Sequence, residues 1–265
     1  MNVLLAACLF ATIAAKTPTQ TDSSIRTMPV PRTPESNTIV LRIAVPKDGE
    51  YVGPSSWIQF RIDGYALGAA SQFERASEVV ETDLGQTVHV VIDDYPYFLI
   101  NEPALDPFNE AGYFYDTSYK FQIPYSLDEG MHTIRMFPAR SFGESLKGDK
   151  TFQAIKVYVG NNNNDNVDLS SPYITYNEPS DSMNLVEGKP ILLDFWVSNT
   201  ELSSDGYKVR LSIDGVVNQT ITSWQPYYIY GLKKGEHTIR LELLDKKGIP
   251  VPGRFNDVKQ TITVN

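Results

Sequence analysis

The chain has 265 residues, with 23 Lys and Arg against 32 Asp and Glu, a net charge of −9 and 42% hydrophobic residues. This length favours two domains, and the composition is typical of a globular protein. Net negative charge removes the attraction on which non-specific nucleic-acid binding depends, so we predict no nucleic-acid partner. With one Cys and three His, a Cys/His metal site is hard to build, and we predict no metal and no cofactor.

The N-terminus begins with an uncharged apolar run of 13 residues, 3–15, followed by Lys16. Such a run has the length of the hydrophobic part of a signal peptide and is too short to cross a bilayer as a helix. We therefore expect residues 1–15 to be a signal peptide cleaved after Ala15. The protein would then be periplasmic, exposed at the cell surface or secreted.

An alternative concerns Cys8, which follows Leu5-Ala6-Ala7. This tetrapeptide resembles the box of bacterial lipoproteins, in which the cysteine is lipidated and becomes the first residue. Contact with a membrane would then occur only through this N-terminal lipid anchor. The apolar run continues past Cys8, which favours the plain signal peptide, and both alternatives stay open.

Residues 16–37 are rich in Thr, Ser and Pro and show no periodic apolar pattern. A segment of this composition buries little apolar surface and is typical of a linker. We predict a flexible tether between the N-terminus and the folded part.

An internal repeat organises the rest of the chain. Residues 127–159 align without a gap with residues 232–264, and nine of the 33 positions are identical, including the run Gly-x-His-Thr-Ile-Arg that starts at Gly130 and Gly235. About two identities would arise by chance, because a random pair of residues matches about one time in twenty. The chain therefore contains two copies of one structural unit.

Upstream segments repeat as well, and they show the period of two that half-buried strands have. Residues 88–94 correspond to 209–215, with the second copy ending in the hairpin-turn dipeptide Asp214-Gly215. The spacing of these segments predicts a 16-residue insertion in the first copy, between Asp94 and Leu127. Short strands separated by turn signals indicate β-sandwiches.

We therefore predict an all-β protein with two tandem immunoglobulin-like β-sandwiches after a signal peptide and a flexible tether. The first sandwich covers residues 38–160 and the second covers 172–265, joined by an Asn-rich linker at 161–171. Asn and Asp oxygens in this linker could bind Ca²⁺. The segment lacks the acidic spacing of an EF-hand loop, which favours a plain linker.

The repeated Leu-x-x-Gly-x-His-Thr-Ile element resembles the end of bacterial immunoglobulin-like domains, where Tyr occupies the place of His. The resemblance implies that His132 and His237 are structural corner residues that hydrogen-bond back to the preceding loop. The alternative is a pair of metal ligands or bases. His89 lies opposite the apolar face of its strand, so we expect it to be exposed.

The first copy is also similar to a group of exported bacterial proteins with a Gly-x-His-Thr-Leu-Arg strand followed by Arg-x-x-x-Glu-Ser-x-Lys. The matching positions are Arg140, Glu144, Ser145 and Lys147. This similarity implies export and fold, and it implies no activity. We expect these four residues to form an internal ion-pair network that holds their loop, and ligand capture is the alternative.

The insertion is rich in aromatic and acidic residues, with ten aromatic residues between positions 95 and 125. Exposed rings of this kind stack on sugars or anchor a partner protein. The alternative is that they seal the first core or its contact with the second sandwich. The candidate binding residues are Tyr95, Tyr97, Phe108, Tyr113, Phe114, Tyr115 and Tyr119.

These features favour a non-enzymatic binding module of a bacterial envelope or surface, with a glycan or protein partner. The alternative is a structural spacer or assembly component without a small ligand. A hydrolase is the remote alternative, because the chain has no Gly-x-Ser-x-Gly elbow and Asp93-Asp94 is better explained as a turn.

Overall fold

The computed structural model describes residues 25–102, 118–161, 167–181 and 183–265. Within these ranges the chain forms sixteen strands and one short helix, α1 (Arg75–Glu78). No helix in this part of the chain is long and apolar enough to cross a membrane. The predicted signal peptide, Cys8 and residues 162–166 of the Asn-rich linker lie outside the described residues. So do the four binding candidates Phe108, Tyr113, Phe114 and Tyr115.

The first sandwich consists of a three-stranded and a five-stranded sheet. The three-stranded sheet has the order β2 (Val40–Val45), β4 (Trp57–Asp63), β7 (Ser118–Gln122). The five-stranded sheet has the order β3 (Glu50–Val52), β9 (Gln153–Val159), β8 (Gly130–Ala139), β5 (Thr87–Ile92), β6 (Phe98–Ile100). Neighbouring strands are antiparallel, except that β3 runs parallel to β9.

The second sandwich consists of two four-stranded sheets. One has the order β1 (Arg26–Pro29), β14 (Tyr227–Tyr230), β11 (Ile191–Ser198), β10 (Tyr173–Glu178). The other has the order β13 (Val216–Ile221), β12 (Lys208–Ile213), β15 (Gly235–Leu244), β16 (Asp257–Val264). The all-β fold of two immunoglobulin-like sandwiches is thus confirmed.

Each sandwich has its own core, built from the inward residues of both of its sheets. Phe60 and Ile134 are fully buried in the first core, and Phe195 and Ile239 in the second. The period of two in the sequence places these residues inward, because successive side chains of a strand point to opposite faces. The two cores contain alternate residues of strands that correspond in the repeat.

The flexible tether predicted for residues 16–37 is wrong for its second half. Residues 26–29 form β1, which pairs antiparallel with β14 and extends a sheet of the second sandwich. Thr33 is buried, and its main-chain N–H donates to Glu144 at 2.8 Å. The segment carries no strand signal of its own in the sequence. Its structure comes from main-chain pairing with β14 and from partners more than 100 residues away.

The two sandwiches stack face to face through β5 and β8 of the first and β10 and β11 of the second. Phe137 and Trp196 lie in one apolar cluster between these sheets, with ring centroids 6.4 Å apart. Arg135 donates from Nη1 to Thr175 Oγ1 at 3.1 Å across the same contact. Consequently β5 and β8 are buried on both faces over nearly their whole length.

Candidate functional site

A cleft of about 710 Å³ opens where the two sandwiches meet. One wall is the turn after β5, at residues 93–97, and the opposite wall is the segment 254–261, which includes most of β16. The floor is formed by residues of β8 and β10. Aromatic and polar side chains converge in this concavity. The floor and the nearby rim include Arg135, Tyr176, Asn177, Ser180 and Asp181.

Two of the candidate tyrosines line this cleft. The side chain of Tyr95 is 52% exposed, and its ring lies 5.1 Å from that of Tyr125. Tyr97 is half-buried: its hydroxyl donates to Glu178 Oε1 at 2.5 Å and lies 2.9 Å from Ser180 Oγ. Tyr95 therefore presents a ring to solvent at the rim, whereas Tyr97 is mainly part of the contact between the sandwiches.

A third described candidate, Tyr119, is not on this surface. It is 7% exposed and stacks on Phe60 in the first core, with ring centroids 5.0 Å apart. Its assignment as a binding residue is therefore wrong. Position 119 falls on the inward face of β7, and the core covers its ring, as the alternative of core-sealing rings describes.

Arg135 and Arg254 bring positive charge to the cleft. Arg135 is 3% exposed, and its guanidinium lies 3.8 Å from the ring centroid of Phe255. Burial lowers the pKa of Arg135 to about 10, because the charged form loses hydration. Arg254 donates from Nε to Asp94 Oδ2 at 2.7 Å, which joins the second sandwich to the turn of the first.

The two repeated histidines occupy equivalent positions with equivalent partners. His132 lies 2.6 Å from Asp93 Oδ2 through Nδ1 and 2.8 Å from the Asp128 carbonyl through Nε2. His237 repeats this geometry with Asp214 Oδ2 at 2.7 Å and the Lys233 carbonyl at 2.8 Å. All four partner atoms are acceptors, so both ring nitrogens of each histidine act as donors.

The hydrogen bonds of His132 favour its charged form. The hydrogen bond to Asp93 is the main cause that raises the pKa of His132 and so favours its charged form. Burial alone would raise the pKa of Asp93, but the bonds from His132 and Thr133 hold it below its ordinary value. An imidazolium whose two N–H groups are both engaged offers no free nitrogen to accept a proton. These contacts are those of a corner residue.

His89 is buried, so the expectation that it is exposed is wrong. It is 2% exposed, donates from Nδ1 to Asn177 Oδ1 at 2.7 Å and stacks on Tyr97 with ring centroids 4.0 Å apart. Burial lowers its pKa to about 4, which favours the neutral ring. The alternation along β5 correctly separates its two faces, but the second sandwich covers the face that the sequence leaves for solvent.

The four residues of the predicted loop network are all buried. Lys147 Nζ lies 2.5 Å from Asp194 Oδ1, and Ser145 Oγ donates to Asp194 Oδ2 at 2.5 Å. Asp194 belongs to β11, so these bonds cross between the sandwiches. Glu144 forms an ion pair with Arg75 of α1. Burial is the main cause that raises the pKa of Glu144.

Arg140 completes this network on the side of the N-terminal segment. Its Nη2 donates to the Pro34 carbonyl at 2.7 Å, and its Nη1 donates to Gln86 Oε1 at 3.0 Å. The main-chain N–H of Lys147 donates to the carboxylate of Glu35 at 2.8 Å. The network therefore joins its loop to residues 33–35, to α1 and to the second sandwich. The sequence predicts only that these residues hold their own loop.

The cleft residues Arg135, Arg254 and Lys259 were not among the sequence candidates. One signal could have indicated the covered face: β8 reads GMHTIRMFPA, with apolar residues at both alternating sets of positions. A strand that is apolar on both faces is usually covered on both. No group of three His, Cys, Asp or Glu side chains among the described residues is arranged to hold a metal ion.

No protein-family model matches this chain, and no curated protein matches it significantly. Among solved structures it is similar to the fibronectin(III)-like modules of Clostridium thermocellum CbhA, at 14% identity and a TM-score of 0.29, covering 85% of this chain and 94% of that chain. It is similar to dimeric latent PorU from Porphyromonas gingivalis at 12% identity and a TM-score of 0.27, covering 95% and 21%.

A third similar structure is the Bacteroides ovatus mixed-linkage glucan utilization locus protein SGBP-B in complex with a mixed-linkage heptasaccharide. The identity is 17% and the TM-score 0.21, and the alignment covers 85% of this chain and 47% of that chain. This chain thus spans nearly all of the first neighbour and less than half of the other two. The described residues of this chain form two immunoglobulin-like β-sandwiches.

Proposed function

We propose that the protein is a non-enzymatic binding module that holds a glycan or protein partner in the cleft between its sandwiches. The observation that carries this proposal is the solvent-exposed ring of Tyr95 at the rim of a cleft of about 710 Å³ with polar side chains on its floor. An exposed ring supplies contact area at low entropic cost, and polar groups below it fix the orientation of a ligand.

The protonation of the site supports binding rather than catalysis. The histidine nearest to an acid, His132, uses both ring nitrogens as donors, and its partner Asp93 accepts from His132 and Thr133. The equivalent contacts of His237 and Asp214 lie in the second sandwich. A pair that recurs in both copies of a repeat is explained by the corner that it stabilises.

The test is a binding screen of the purified protein by isothermal titration calorimetry against oligosaccharides, acidic and neutral, and against peptides. We expect Tyr95→Ala to weaken binding about fivefold or more, because truncating an aromatic anchor costs about 1 kcal/mol or more. Tyr51→Ala is the matched control, since Tyr51 is 62% exposed and lies on β3, outside the cleft. Equal losses in both variants, or no binding in the whole screen, would contradict the proposal.

The spacer hypothesis is favoured by a different observation, the buried apolar and ionic contact that fixes the two sandwiches together. A screen without any ligand, combined with recovery of the protein in crosslinked assemblies, would support the spacer over the binding module. The two functions therefore predict opposite results in the same experiments.

We also propose, from the sequence at residues 1–15 and the similarity around Arg140, that the protein is exported. Fractionation of the source cell is the measurement, and Cys8→Ser separates the two export hypotheses. Release from membranes in that variant indicates a lipid anchor, and no change indicates cleavage after Ala15. Recovery of the full chain in the cytoplasm would contradict export.

A further inference from the structure

The wall of the cleft formed by β16 is a sheet edge. β16 pairs with β15 in an unbroken antiparallel register from Asp257 to Val264. In such a ladder the N–H and C=O of alternate residues point to opposite sides of the strand. The N–H of Thr263 donates to Asp181 Oδ1 at 2.8 Å and that of Asn265 donates to the Leu185 carbonyl at 2.9 Å, so the odd-numbered residues face away from β15.

Two odd-numbered residues of β16, Lys259 and Thr261, therefore direct their main-chain groups into the cleft. No described residue supplies a hydrogen-bond partner to these groups. Both residues line the cleft. A row of unpaired N–H and C=O groups is a template for another extended chain.

The first copy of the repeat shows this position occupied. Lys156 is equivalent to Thr261, and both of its main-chain groups have partners. Its carbonyl accepts from the N–H of Gly49 at 2.8 Å, and its N–H donates to Asp48 Oδ1 at 2.8 Å. The chain then continues into β3, which pairs with β9. The first sandwich thus covers with its own chain the edge that the second leaves free within the described residues.

The charges beside this edge indicate the chemistry of an occupant. Lys259 lies directly opposite Arg240 of β15, a pairing of like charges that destabilises a sheet. Arg240 is engaged by Asp257 at 2.7 Å and by Glu242 at 3.0 Å, whereas Lys259 has no carboxylate partner among the described residues. The cleft acids Asp94 and Asp181 already have partners.

We propose that the cleft binds an extended polypeptide segment as an added strand on the free edge of β16, with an acidic side chain next to Lys259. Main-chain bonds to Lys259 and Thr261 hold the segment, and the acidic side chain supplies the cross-strand partner that Lys259 lacks. The inference rests on the proposed binding function and names its ligand class.

The probe is a fluorescein-labelled peptide of about nine residues, alternating Thr and Val with a central Glu, a length that covers the edge with a margin. Fluorescence anisotropy compares it with the same peptide carrying central Lys and with one N-methylated on alternate amides. We expect the Lys peptide to bind about two- to five-fold more weakly, as for a cross-strand charge pair. We expect the N-methylated peptide to bind at least about tenfold more weakly, because the main-chain bonds are lost.

Thr261→Pro tests the edge from the protein side. Proline there removes an N–H that points into the cleft and breaks no bond to β15, so an edge position tolerates it. We expect loss of binding in this variant and retention in the control Thr261→Val, which keeps the N–H. Lys259→Glu should reverse the preference to the Lys peptide, with Lys247→Glu as the control at an exposed turn outside the cleft.

Equal affinity for the N-methylated peptide, unchanged binding by a folded Thr261→Pro, or no binding of the Glu peptide would each overturn the inference. If Thr261→Pro fails to fold, the charge reversal and the N-methylated peptide still decide it. Oligosaccharide binding that requires Tyr95 but is indifferent to Thr261→Pro would overturn the added strand and leave the proposed binding function standing.

Discussion

Glu178 is a buried carboxyl group at the contact between the sandwiches. Its Oε1 accepts from Tyr97 at 2.5 Å and its Oε2 from the main-chain N–H of Ser180 at 2.8 Å. Burial raises the pKa of Glu178 to about 8, because the charged form loses hydration that these bonds only partly replace. Gly143 lies against this side chain at a φ of 87°, and a Cβ there would come within 2.9 Å of Glu178 Cγ.

We predict that Glu178 makes the protein less stable as the pH rises. The folded pKa is above the unfolded value of 4.5, so the contribution is complete below pH 4.5 and is lost as the pH rises through about 8. Between pH 6 and pH 9 the free energy of unfolding should fall by about 2–3 kcal/mol more in the native protein than in Glu178→Gln. Urea unfolding at both pH values measures this.

The control for this prediction is the pH range below 6. In that range His89 makes the protein more stable as the pH rises, the opposite of the effect of Glu178, because the folded pKa of His89, about 4, is below its unfolded value of 6.5. Its contribution is present above pH 6.5 and is lost as the pH falls towards 4. Glu178→Gln should leave this acid-side loss in place. Parallel curves for both proteins from pH 6 to pH 9 would contradict the role of Glu178.

Strand β1 and the segment after it join both sandwiches. Four residues of β1 pair with β14, and the guanidinium of Arg26 lies 4.8 Å from the ring centroid of Tyr230. The next residues reach the buried network through Thr33 and Glu35. A polar segment without apolar periodicity is ordered in this way because the folded sheet offers an unpaired edge and buried charges.

We predict that deleting residues 1–30 lowers the free energy of unfolding by about 1–3 kcal/mol. The deletion removes the main-chain bonds between β1 and β14 and makes β14 an edge strand. Urea unfolding gives this value. The freed edge should also increase self-association in size-exclusion chromatography. Deletion of residues 1–24 is the matched control, because it keeps β1. The same stability in both truncated proteins would show that β1 adds nothing to the second sandwich.

The hairpin between β12 and β13 shows how local sequence decides an element. Asp214 and Gly215 have φ values of 51° and 79°, the left-handed conformations that a two-residue hairpin turn requires. The Asp-Gly dipeptide predicts this turn without any tertiary information. The corresponding Asp93 also has a positive φ, of 50°, and lies in the predicted turn.

The whole molecule is asymmetric although its two halves repeat. The outward face of β5 and β8 carries Val91 and Phe137, and the equivalent positions in the second sandwich are Ser212 and Glu242. The first face is covered by β10 and β11, whereas the second holds the exposed ion pair of Arg240 with Asp257. The outward face of the second sandwich is therefore charged where that of the first is apolar.

We predict that Trp196→Ala uncouples the sandwiches. Trp196 is 6% exposed and packs on Phe137 and Phe152 across the contact, and its truncation should cost about 3–5 kcal/mol. In calorimetry we expect one unfolding transition for the native protein and two for the variant. Trp57→Ala is the control, because Trp57 is 50% exposed on the equivalent sheet of the first sandwich and should cost less than about 1 kcal/mol. One unsplit transition in Trp196→Ala would contradict this prediction.

Much of the fold and part of the cleft follow from sequence patterns. Alternation along strands such as β4 and the repeated Gly-x-His-Thr-Ile-Arg run predict two sandwiches whose strands follow one another in a similar order along the chain. The aromatic run includes Tyr95, whose exposed ring lines the cleft. It does not distinguish Tyr95 from Tyr119, because a ring has the same chemistry in a core as on a rim, and only the strand partner decides which way it faces.

The sequence by itself determined the class of each unit, because periodicity, turn dipeptides and inward apolar residues act over a few positions. Only the tertiary structure decided what covers the outer faces: it buried His89, ordered β1 and placed Arg135 and Lys259 beside Tyr95 in one cleft. These outcomes depend on contacts between residues far apart in the chain. Apolar residues such as Val91 and Phe137 on an outward strand face indicate that the face is covered, but no local pattern says which distant part of the chain covers it.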